Sequence, residues 1–402
     1  MSTVSDKKSL LIISAVFASV ICLTYLISVV ARGYQINLQN NSGSLFKATG
    51  LLSATSKPKS ASVYVNDKLI TATDDTINLA PGDYQVKIVK DGYLPWEKSF
   101  HIKKETVYQT DTNLFRSVSD LKSLTSSGAL HSSISPDYSK VIYAVASASA
   151  SHDNGLYLIE LTDNPLPIGR NIPRQIATNF TSVDWSQFNF TFSPNSRQIL
   201  ASNQTGTVNY LLSLDTPITA TNLSDATSRL SIIKTEWRQQ SSQIITTKTD
   251  KLPSDLRQLI STSSATLSFN SSEDKVLYLA ISDGNIKDNI ITPPPAQSNQ
   301  PQSRQLTKGN YYVYDIKDDT NFLIGPESAL LSPFWLANSN NIAFVENKAI
   351  KVVEYDGTNK QTIYAGNFDP NAVYPWADGS RIIALISPFT SAPANLYAII
   401  IR

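Results

Sequence analysis

The chain has 402 residues, and 34 Lys and Arg against 33 Asp and Glu leave a formal net charge of +1. This balance gives no broad electrostatic field, so a nucleic-acid partner is not expected. The length exceeds what one hydrophobic core usually organises, which predicts two or more domains. The only cysteine, Cys22, lies in an apolar run, so internal disulfides and thiolate metal sites are excluded from the rest of the chain.

Residues 9–31 form an apolar segment without a charged side chain. As a helix, this segment is long enough to cross a bilayer core of about 30 Å. Two lysines precede it and one arginine follows it, which predicts a transmembrane helix with residues 1–8 in the cytoplasm and all later residues outside. A cytoplasmic part of about eight residues is too short to fold, so signalling across the membrane is not expected. A cleaved signal peptide stays an alternative.

The next part of the chain changes from a polar segment to alternating strands. Residues 32–48 are rich in Asn, Gln, Ser and Gly and are expected to form a stalk. Within residues 49–115, apolar residues alternate with polar ones, as in Ala61, Val63 and Val65, which is the period of half-buried strands. Turn pairs such as Asn66-Asp67, Pro81-Gly82 and Asp91-Gly92 separate these runs, so we predict at least four strands.

The turn motifs of this segment resemble those of a known family. Pro81-Gly82-Asp83-Tyr84, a strand, Asp91-Gly92-Tyr93 and then Pro95-Trp96 follow one another as in PEGA domains, which are small extracytoplasmic β-sandwiches of bacterial envelope proteins. The resemblance implies an envelope location and a binding or spacer role, and it implies no catalytic residues. Tyr93 and Trp96 are candidates for a sugar-stacking platform, but packing in the small core is the favoured interpretation.

Residues 117–402 repeat one theme, a polar turn followed by an apolar strand, which predicts a β-propeller. Six repeats are recognised by the first apolar residue of each strand: Val141, Ile199, Ile244, Val276, Ile342 and Ile382. Companion strands follow five of them, and the third repeat, around Trp237–Thr247, lacks one. The fold class is therefore all-β: an N-terminal transmembrane helix, a small β-sandwich, and a propeller of about six blades.

These repeats resemble the WD40-like repeats of TolB and of the propeller in dipeptidyl-peptidase-type enzymes. Ser135-Pro136-Asp137 matches the turn motif fully and Ser193-Pro194-Asn195 matches it in part. Proline presets the turn and Asp or Asn caps it, so backbone geometry explains these residues without a functional site.

Two further predictions concern the completion of the last blade and a long insertion in the fourth repeat. A propeller leaves no open edge, so the segment from Asp120 to Leu130 is expected to complete the last blade beside the final strand. Residues 292–305 contain too many Pro and Gln to form a strand and are expected to be a mobile loop within the fourth repeat.

No catalytic, cofactor or metal-binding residue is predicted. The three histidines, His101, His131 and His152, are not at metal-ligand spacing with one another, and the sequence contains no G-x-S-x-G elbow, Walker loop or dinucleotide fingerprint. We therefore expect a membrane-anchored, non-enzymatic binding or scaffold protein of the cell envelope, whose partner is an envelope protein or polysaccharide. The alternative is a glycan hydrolase with paired carboxylates in the propeller channel.

Overall fold

The computed structural model describes residues 3–31, 34–36, 46–146, 148–161, 171–388 and 393–402. The chain divides into two compact units. The first comprises residues 1–90, 95–113 and 294–299, and the second comprises residues 91–94, 114–293 and 300–402.

The first unit begins with a long helix, α1 (Thr3–Ala31). Every side chain described in it, from residue 12 to residue 28, is exposed, and none of them is charged. In the part of the chain that the structure describes, no helix is both long enough and apolar enough to be identified as a membrane span. The transmembrane assignment of residues 9–31 therefore stays a prediction.

The segment expected to be a stalk contains a pair of short strands. β1 (Tyr34–Ile36) pairs antiparallel with β2 (Phe46–Ala48), so that Tyr34 lies opposite Ala48. The residues between these strands lie outside the described part of the chain. The two ends of this segment thus approach each other as neighbouring strands.

Nine further strands build the small β-domain of the first unit. They are β3 (Gly50–Ala54), β4 (Ser56–Lys57), β5 (Ser62–Val65), β6 (Lys68–Ala72), β7 (Asp75–Leu79), β8 (Gly82–Val89), β9 (Trp96–Ile102), β10 (Val107–Gln109) and β11 (Thr112–Asn113). One sheet has the order β6-β5-β8-β9, a second has the order β10-β3-β7, and β11 pairs with β4. The alternation in the sequence produces this domain, because the inward residues Val63, Val86 and Ile88 are all fully buried.

The hairpin turn predicted at Asn66-Asp67 is confirmed. Both residues have positive φ, 49° and 63°, which is the left-handed region that Asn and Asp tolerate best after glycine. They connect β5 to β6, whose pairing is antiparallel.

The described residues of the second unit form five four-stranded antiparallel sheets, called blades 1 to 5 in chain order. Blade 1 consists of β13–β16, blade 2 of β17–β20, blade 3 of β21, β22, β25 and β26, blade 4 of β27–β30, and blade 5 of β31–β33 together with β12. The strands before the helices are β12 (Asp120–Ser123), β13 (Leu130–Ile134), β14 (Lys140–Val145), β15 (Gly155–Glu160), β16 (Arg174–Thr178), β17 (Phe188–Phe192), β18 (Gln198–Asn203), β19 (Asn209–Ser213) and β20 (Ser224–Asp225). Two helices follow, α2 (Leu230–Thr249) and α3 (Ser254–Ser263).

The remaining strands complete blades 3 to 5. They are β21 (Ser264–Phe269), β22 (Lys275–Ala280), β23 (Gly284–Asn285), β24 (Gln305–Leu306), β25 (Asn310–Asp315), β26 (Thr320–Pro326), β27 (Leu331–Trp335), β28 (Asn341–Glu346), β29 (Ala349–Glu354), β30 (Gln361–Ala365), β31 (Phe368–Pro375), β32 (Arg381–Ile386) and β33 (Asn395–Ile400). β23 and β24 form a separate two-stranded pair at the base of the long excursion.

Hydrophobic packing joins the blades face to face. Side chains of blade 1 share one core with blade 5 and another with blade 2, while blade 4 shares cores with blades 3 and 5. Aromatic side chains add hydrogen bonds between blades: Trp335 Nε1 donates to Ser268 O at 3.2 Å, and Tyr374 Oη donates to Ser132 O at 2.6 Å. The sheets are therefore packed in the order 2-1-5-4-3, as blades of a propeller are.

The prediction that an early strand completes the last blade is confirmed. β12 pairs antiparallel with β33, with Asp120 opposite Ile400, and so becomes the fourth strand of blade 5. The blade therefore combines three strands from the end of the propeller sequence with one from its beginning.

The interpretation of the third repeat as a blade was wrong, because residues 230–249 form α2. Ile244, the expected buried strand residue, is 50% exposed, whereas the five other marker residues are fully buried. Leu230, Ile233 and Trp237 have helical spacing and pack against Leu200 of blade 2. This i, i+3, i+7 pattern is the signal that the repeat interpretation missed.

The two helices cover the faces of blades 2 and 3 that no neighbouring blade covers. α2 packs on blade 2, and Leu256 and Ile260 of α3 share a core with Tyr278 of blade 3. The helices thus stand where a further blade would pack, and a count of six blades is not confirmed.

The Pro- and Gln-rich excursion forms no helix or strand from residue 292 to residue 304, as predicted. Its returning end is held on blade 3. The Arg304 guanidinium bonds the Asp319 carboxylate at 2.9 Å, and Asn321 Nδ2 donates to Ser303 O at 2.7 Å. The expected mobility of the excursion stays a prediction.

Candidate functional site

The Ser-Pro-Asp turns have the structural role that the sequence indicates. Ser135 Oγ donates to Asp137 Oδ1 at 2.6 Å and accepts from the Lys140 backbone N–H at 2.9 Å. Ser193 and Asn195 repeat this arrangement in blade 2 at 2.7 Å. These hydrogen bonds all lie within the turns, so the residues stabilise the turn conformation of the backbone.

The histidines and the proposed aromatic platform do not form a site. His101 contacts Asp83 at 2.7 Å on an exposed surface, and His152 contacts Asp153 at 3.2 Å. Across the described residues, no group of three or more His, Cys, Asp and Glu side chains is placed to hold a metal ion. Trp96 is only 3% exposed, so it packs in the core of the β-domain and offers no face to a sugar.

The hydrolase alternative requires two carboxylates in the channel. The first strands of neighbouring blades contact one another and therefore form the inner wall of the ring. Among the five first strands, β13, β17, β21, β27 and β31, all within the described chain, the only carboxylate is that of Asp369. The inner strands thus supply no carboxylate pair.

The candidate site is a cavity of about 400 Å³ at the junction of blades 5 and 1. One wall is the closure loop, residues 123–128, which leads from the last strand of blade 5 to the first strand of blade 1. The other wall comes from blade 1 and contains Tyr143, Val145, Tyr157 and Pro173. Its volume lies in the range of about 300–1,000 Å³ that is typical of small-molecule sites.

Hydrogen bonds to blade 5 fix the closure loop. Asn395 Oδ1 accepts from Thr125 Oγ1 at 2.9 Å and from the Gly128 backbone N–H at 3.0 Å. The Leu396 backbone N–H in turn donates to Thr125 Oγ1 at 2.9 Å, and the Leu124 N–H donates to Leu396 O at 2.8 Å. Because these groups are bonded to a buried strand, the cavity wall is preorganised.

A glycine allows the loop to return to the ring. Gly128 has φ of 82°, a region that side chains disfavour, and it is buried. The next residue, Ala129, is 1% exposed and belongs to the core between blades 5 and 1. Residues 126 and 127 stay exposed at the rim of the cavity.

Two tyrosines form the aromatic side of the cavity. Tyr143 on β14 lies directly opposite Tyr157 on β15, and their rings stack with centroids 5.6 Å apart and an interplanar angle of 23°. Tyr143 is 2% exposed, while Tyr157 is half-buried and donates from its hydroxyl to Asp153 O at 2.7 Å. Burial, and then the neighbouring Tyr157, raise the pKa of Tyr143, and burial, followed by Asp153, raises the pKa of Tyr157.

The lining of the cavity carries no charged side chain. None of its ten lining residues is an acid or a basic side chain, and both phenols stay protonated at neutral pH. Hydroxyl groups of Ser, Thr and Tyr alternate with apolar surface from Leu124, Val145 and Pro173. Such a site binds through hydrogen bonds and apolar contact, and it contains no general base or activated nucleophile.

The sequence analysis located the closure loop but did not identify the cavity. The loop was predicted only as a closing segment, and Tyr157 only as part of a companion strand. One signal was available: KVIYAV and KVLYLA place Tyr143 and Tyr278 at the same position after their marker residues, and each companion strand adds a second tyrosine.

This architecture defines a small β-domain followed by a β-propeller. Residues 49–117 match the PEGA domain family. No curated protein matches the chain.

Solved structures that resemble the chain include two bacterial or archaeal proteins and a WD40 protein. The acylaminoacyl peptidase of Pyrococcus horikoshii is 12% identical with a TM-score of 0.21, over 67% of this chain and 38% of the peptidase. A putative TolB from Agrobacterium tumefaciens is 14% identical with a TM-score of 0.23, over 69% of this chain and 81% of that one. The RRP9 WD40 repeats are 9% identical with a TM-score of 0.29, over 70% and 98%. Similarity at this level carries no conclusion about activity.

Proposed function

We propose that this protein is a non-catalytic binding protein of the cell envelope, which α1 attaches to the membrane and whose propeller binds its ligand in the cavity beside the closure loop. The observation that carries the proposal is the preorganised neutral cavity at the junction of blades 5 and 1. It has the size and mixed polarity of a binding site and lacks the ionisable groups of a catalytic one.

The exposure of α1 supports attachment to the membrane. Between residues 12 and 28, large apolar side chains on all sides of the helix are exposed, such as Ile13 and Phe17, at 65% and 69%. A helix that is apolar all round is stable when lipid or protein covers it. The positive residues before it favour an orientation with the propeller outside the cytoplasm.

The PEGA domain supports an envelope location for the chain, and its small core supports a spacer role. Its inward side chains are fully buried, so the domain folds around its own core. In this proposal it lies in the chain between the anchor and the ligand-binding propeller.

Binding to isolated envelopes tests the cavity. Full-length protein, purified in a detergent without a sugar head group, is mixed with envelopes of the producing cell, and the bound fraction is measured by sedimentation. Ser126→Trp places a large ring at the cavity rim and is expected to weaken binding at least about tenfold. Ser242→Trp, at an exposed position of α2, is the matched control and should bind as the unmodified protein does. Equal binding by both variants would refute the proposal.

Protease protection tests the location. Protease added to intact cells should digest residues after α1, and the same digestion should spare a cytoplasmic marker protein. Replacement of Phe17 and Ile21 by lysine should release the protein from the membrane fraction, because charged side chains in a bilayer core cost about 2.5–3.5 kcal/mol each. A protein that stays protected in intact cells would contradict the proposed orientation.

A further inference from the structure

We infer that the cavity beside the closure loop binds a neutral saccharide unit, an inference that rests on the proposed binding function and specifies its ligand. The inference comes from a comparison of two equivalent positions in the same ring.

Blade 3 contains a second pair of stacked tyrosines at the position that the first pair has in blade 1. Tyr278 lies opposite Tyr312 across β22 and β25, and their ring centroids are 5.9 Å apart with an interplanar angle of 24°. Tyr143 and Tyr278 each follow the marker residue of their strand by two positions. In each blade the aromatic pair therefore lies on the equivalent face of the sheet. This face packs against blade 5 in blade 1 and against α3 in blade 3.

The protein covers that surface in blade 3. Tyr278 and Tyr312 are 0% and 1% exposed, because Leu256 and Ile260 of α3 pack over them together with Ile286 and Leu306. In blade 1, Tyr143 is likewise only 2% exposed, because it packs in the core shared with blade 5, but Tyr157 is only half-buried and lines the cavity. The two blades therefore differ in the second ring of the pair, since Tyr312 is covered by the chain and Tyr157 keeps exposed ring surface at the cavity.

The wall opposite the tyrosines differs in chemistry from the apolar cover of blade 3. It is the closure loop, where Ser123, Thr125, Ser126 and Ser127 follow one another around a single leucine. The Thr125 hydroxyl already bonds Asn395 and the Leu396 N–H, and the Ser123 hydroxyl donates to Thr125 O, so these two groups hold the loop in place. The exposed Ser126 lies at the rim, where its hydroxyl can donate to and accept from the hydroxyls of a sugar. An aromatic ring on one side and a polar, uncharged rim on the other suit a sugar ring, which has an apolar face and a polar rim.

The absence of charge narrows the ligand class. Recognition of phosphate or carboxylate uses Arg, Lys or helix N-termini, and no such group is among the ten lining residues. A proline-rich peptide requires a groove lined by several aromatic rings, whereas here Tyr157 is the accessible ring of the pair. A neutral saccharide fits these features better than an anionic glycan or a peptide.

The test determines whether the protein binds the glycans or the proteins of the envelopes. One portion is treated with anhydrous trifluoromethanesulfonic acid, which cleaves glycosidic bonds and leaves peptide bonds, and another with proteinase K. Full-length protein should lose binding to the first portion and keep binding to the second. Binding should also change little between 0.05 and 0.5 M NaCl, chosen here to span about an order of magnitude in ionic strength, because a neutral ligand is not subject to charge screening.

Three tyrosine variants locate the contact. Tyr157→Ala should weaken binding at least about tenfold, while Tyr157→Phe should bind within about twofold of the unmodified protein, because the Tyr157 hydroxyl is already bonded to Asp153 O. Tyr364→Ala is the control, since Tyr364 is also half-buried and contacts one aromatic ring, Phe368, at 5.9 Å, away from the cavity. Thermal unfolding of each variant separates a loss of contact from a loss of fold, and Ser126→Trp provides a second blocked cavity.

The outcomes distinguish the ligand class from the binding function. Binding that survives the acid and is lost after proteinase K, yet is still blocked by Ser126→Trp, overturns the saccharide and keeps the cavity as a binding site. Binding that falls steeply with salt overturns neutrality in the same way. Binding that neither Ser126→Trp nor Tyr157→Ala affects overturns both the saccharide inference and the proposed function.

Discussion

Thr125 and Asn395 are 270 positions apart in the sequence, and the hydroxyl of Thr125 bonds the carboxamide oxygen of Asn395 at 2.9 Å. The same oxygen accepts the Gly128 backbone N–H, so a single side chain fastens the closure loop to the last strand of the ring. Removing it leaves a buried hydroxyl and a buried N–H without their acceptor.

Asn395→Ala is therefore expected to destabilise the propeller by about 1–3 kcal/mol. Chemical denaturation followed by tryptophan fluorescence measures the change. Asn367→Ala is the control, because the exposed Asn367 donates one hydrogen bond to Ser387 O, and it should change stability by at most about 0.5 kcal/mol. Equal effects of both substitutions would contradict the role of Asn395.

The helical assignment of residues 230–249 predicts different contributions to stability from two isoleucines of α2, Ile233 and Ile244. Ile233 is 2% exposed against blade 2, so Ile233→Ala should cost about 2–4 kcal/mol. Ile244 is 50% exposed, and Ile244→Ala should cost at most about 0.5 kcal/mol. If residues 237–247 formed a blade strand, the order would be reversed, and denaturation of the two variants decides between the arrangements.

Because Ser135 is hydrogen-bonded within the Ser-Pro-Asp turn of blade 1, we expect Ser135→Ala to lower the stability of the protein. Ser135 is fully buried, and its hydroxyl satisfies both the Asp137 carboxylate and the Lys140 N–H. The substitution should cost about 1–2 kcal/mol in thermal or chemical unfolding. Ser182→Ala, at an exposed position, should be neutral within about 0.5 kcal/mol. A neutral Ser135→Ala would show that the turn does not depend on its side chain.

The lowered pKa of Asp274 predicts that the protein loses stability in acid. Burial raises the pKa of its carboxyl, but hydrogen bonds from Lys317, Asn270 and Ser272 and the charge of Lys275 outweigh burial and hold the pKa well below 3.8, its ordinary value. A carboxyl with a lowered pKa stabilises the fold at pH values above 3.8, and this contribution is lost as the pH falls toward the pKa of the folded protein.

Asp274→Asn should accordingly be less stable than the unmodified protein at pH 7, by about 1–3 kcal/mol. This difference should stay constant down to about pH 4 and shrink steadily as the pH falls further toward the pKa of the folded protein. Denaturation midpoints between about pH 7 and pH 2 give both curves. A constant difference across this range would show that the Asp274 carboxylate does not carry the acid dependence.

The sequence predicts most of the strands because their signals are local. Alternating apolar residues, turn pairs and marker residues such as Val141 and Ile382 are set by the pleat of a strand and by backbone geometry, and the structure confirms them. The pairing of β12 with β33 was also predictable, since a ring requires closure.

The helices and the cavity depend on information that one repeat does not contain. The segment around Ile244 has apolar residues that suit a strand, and only the spacing of Leu230, Ile233 and Trp237 favours a helix. The cavity arises where residues near position 125 meet residues near positions 143, 157 and 395. Such a meeting arises from the pairing of the first and last strands of the propeller sequence, so no local pattern predicts it.

Joining β12 to β33 also has a kinetic consequence. The entropy of closing so large a loop grows only with the logarithm of its length, so the finished ring loses little equilibrium stability through this arrangement. The rate is affected more, because folding slows as contacting residues become more distant in sequence. Blade 5 therefore remains incomplete in a nascent chain until β33 has been synthesised. Until then the edges of β12 and β32 that β33 covers lack their partner, and unpaired strand edges of this kind favour aggregation.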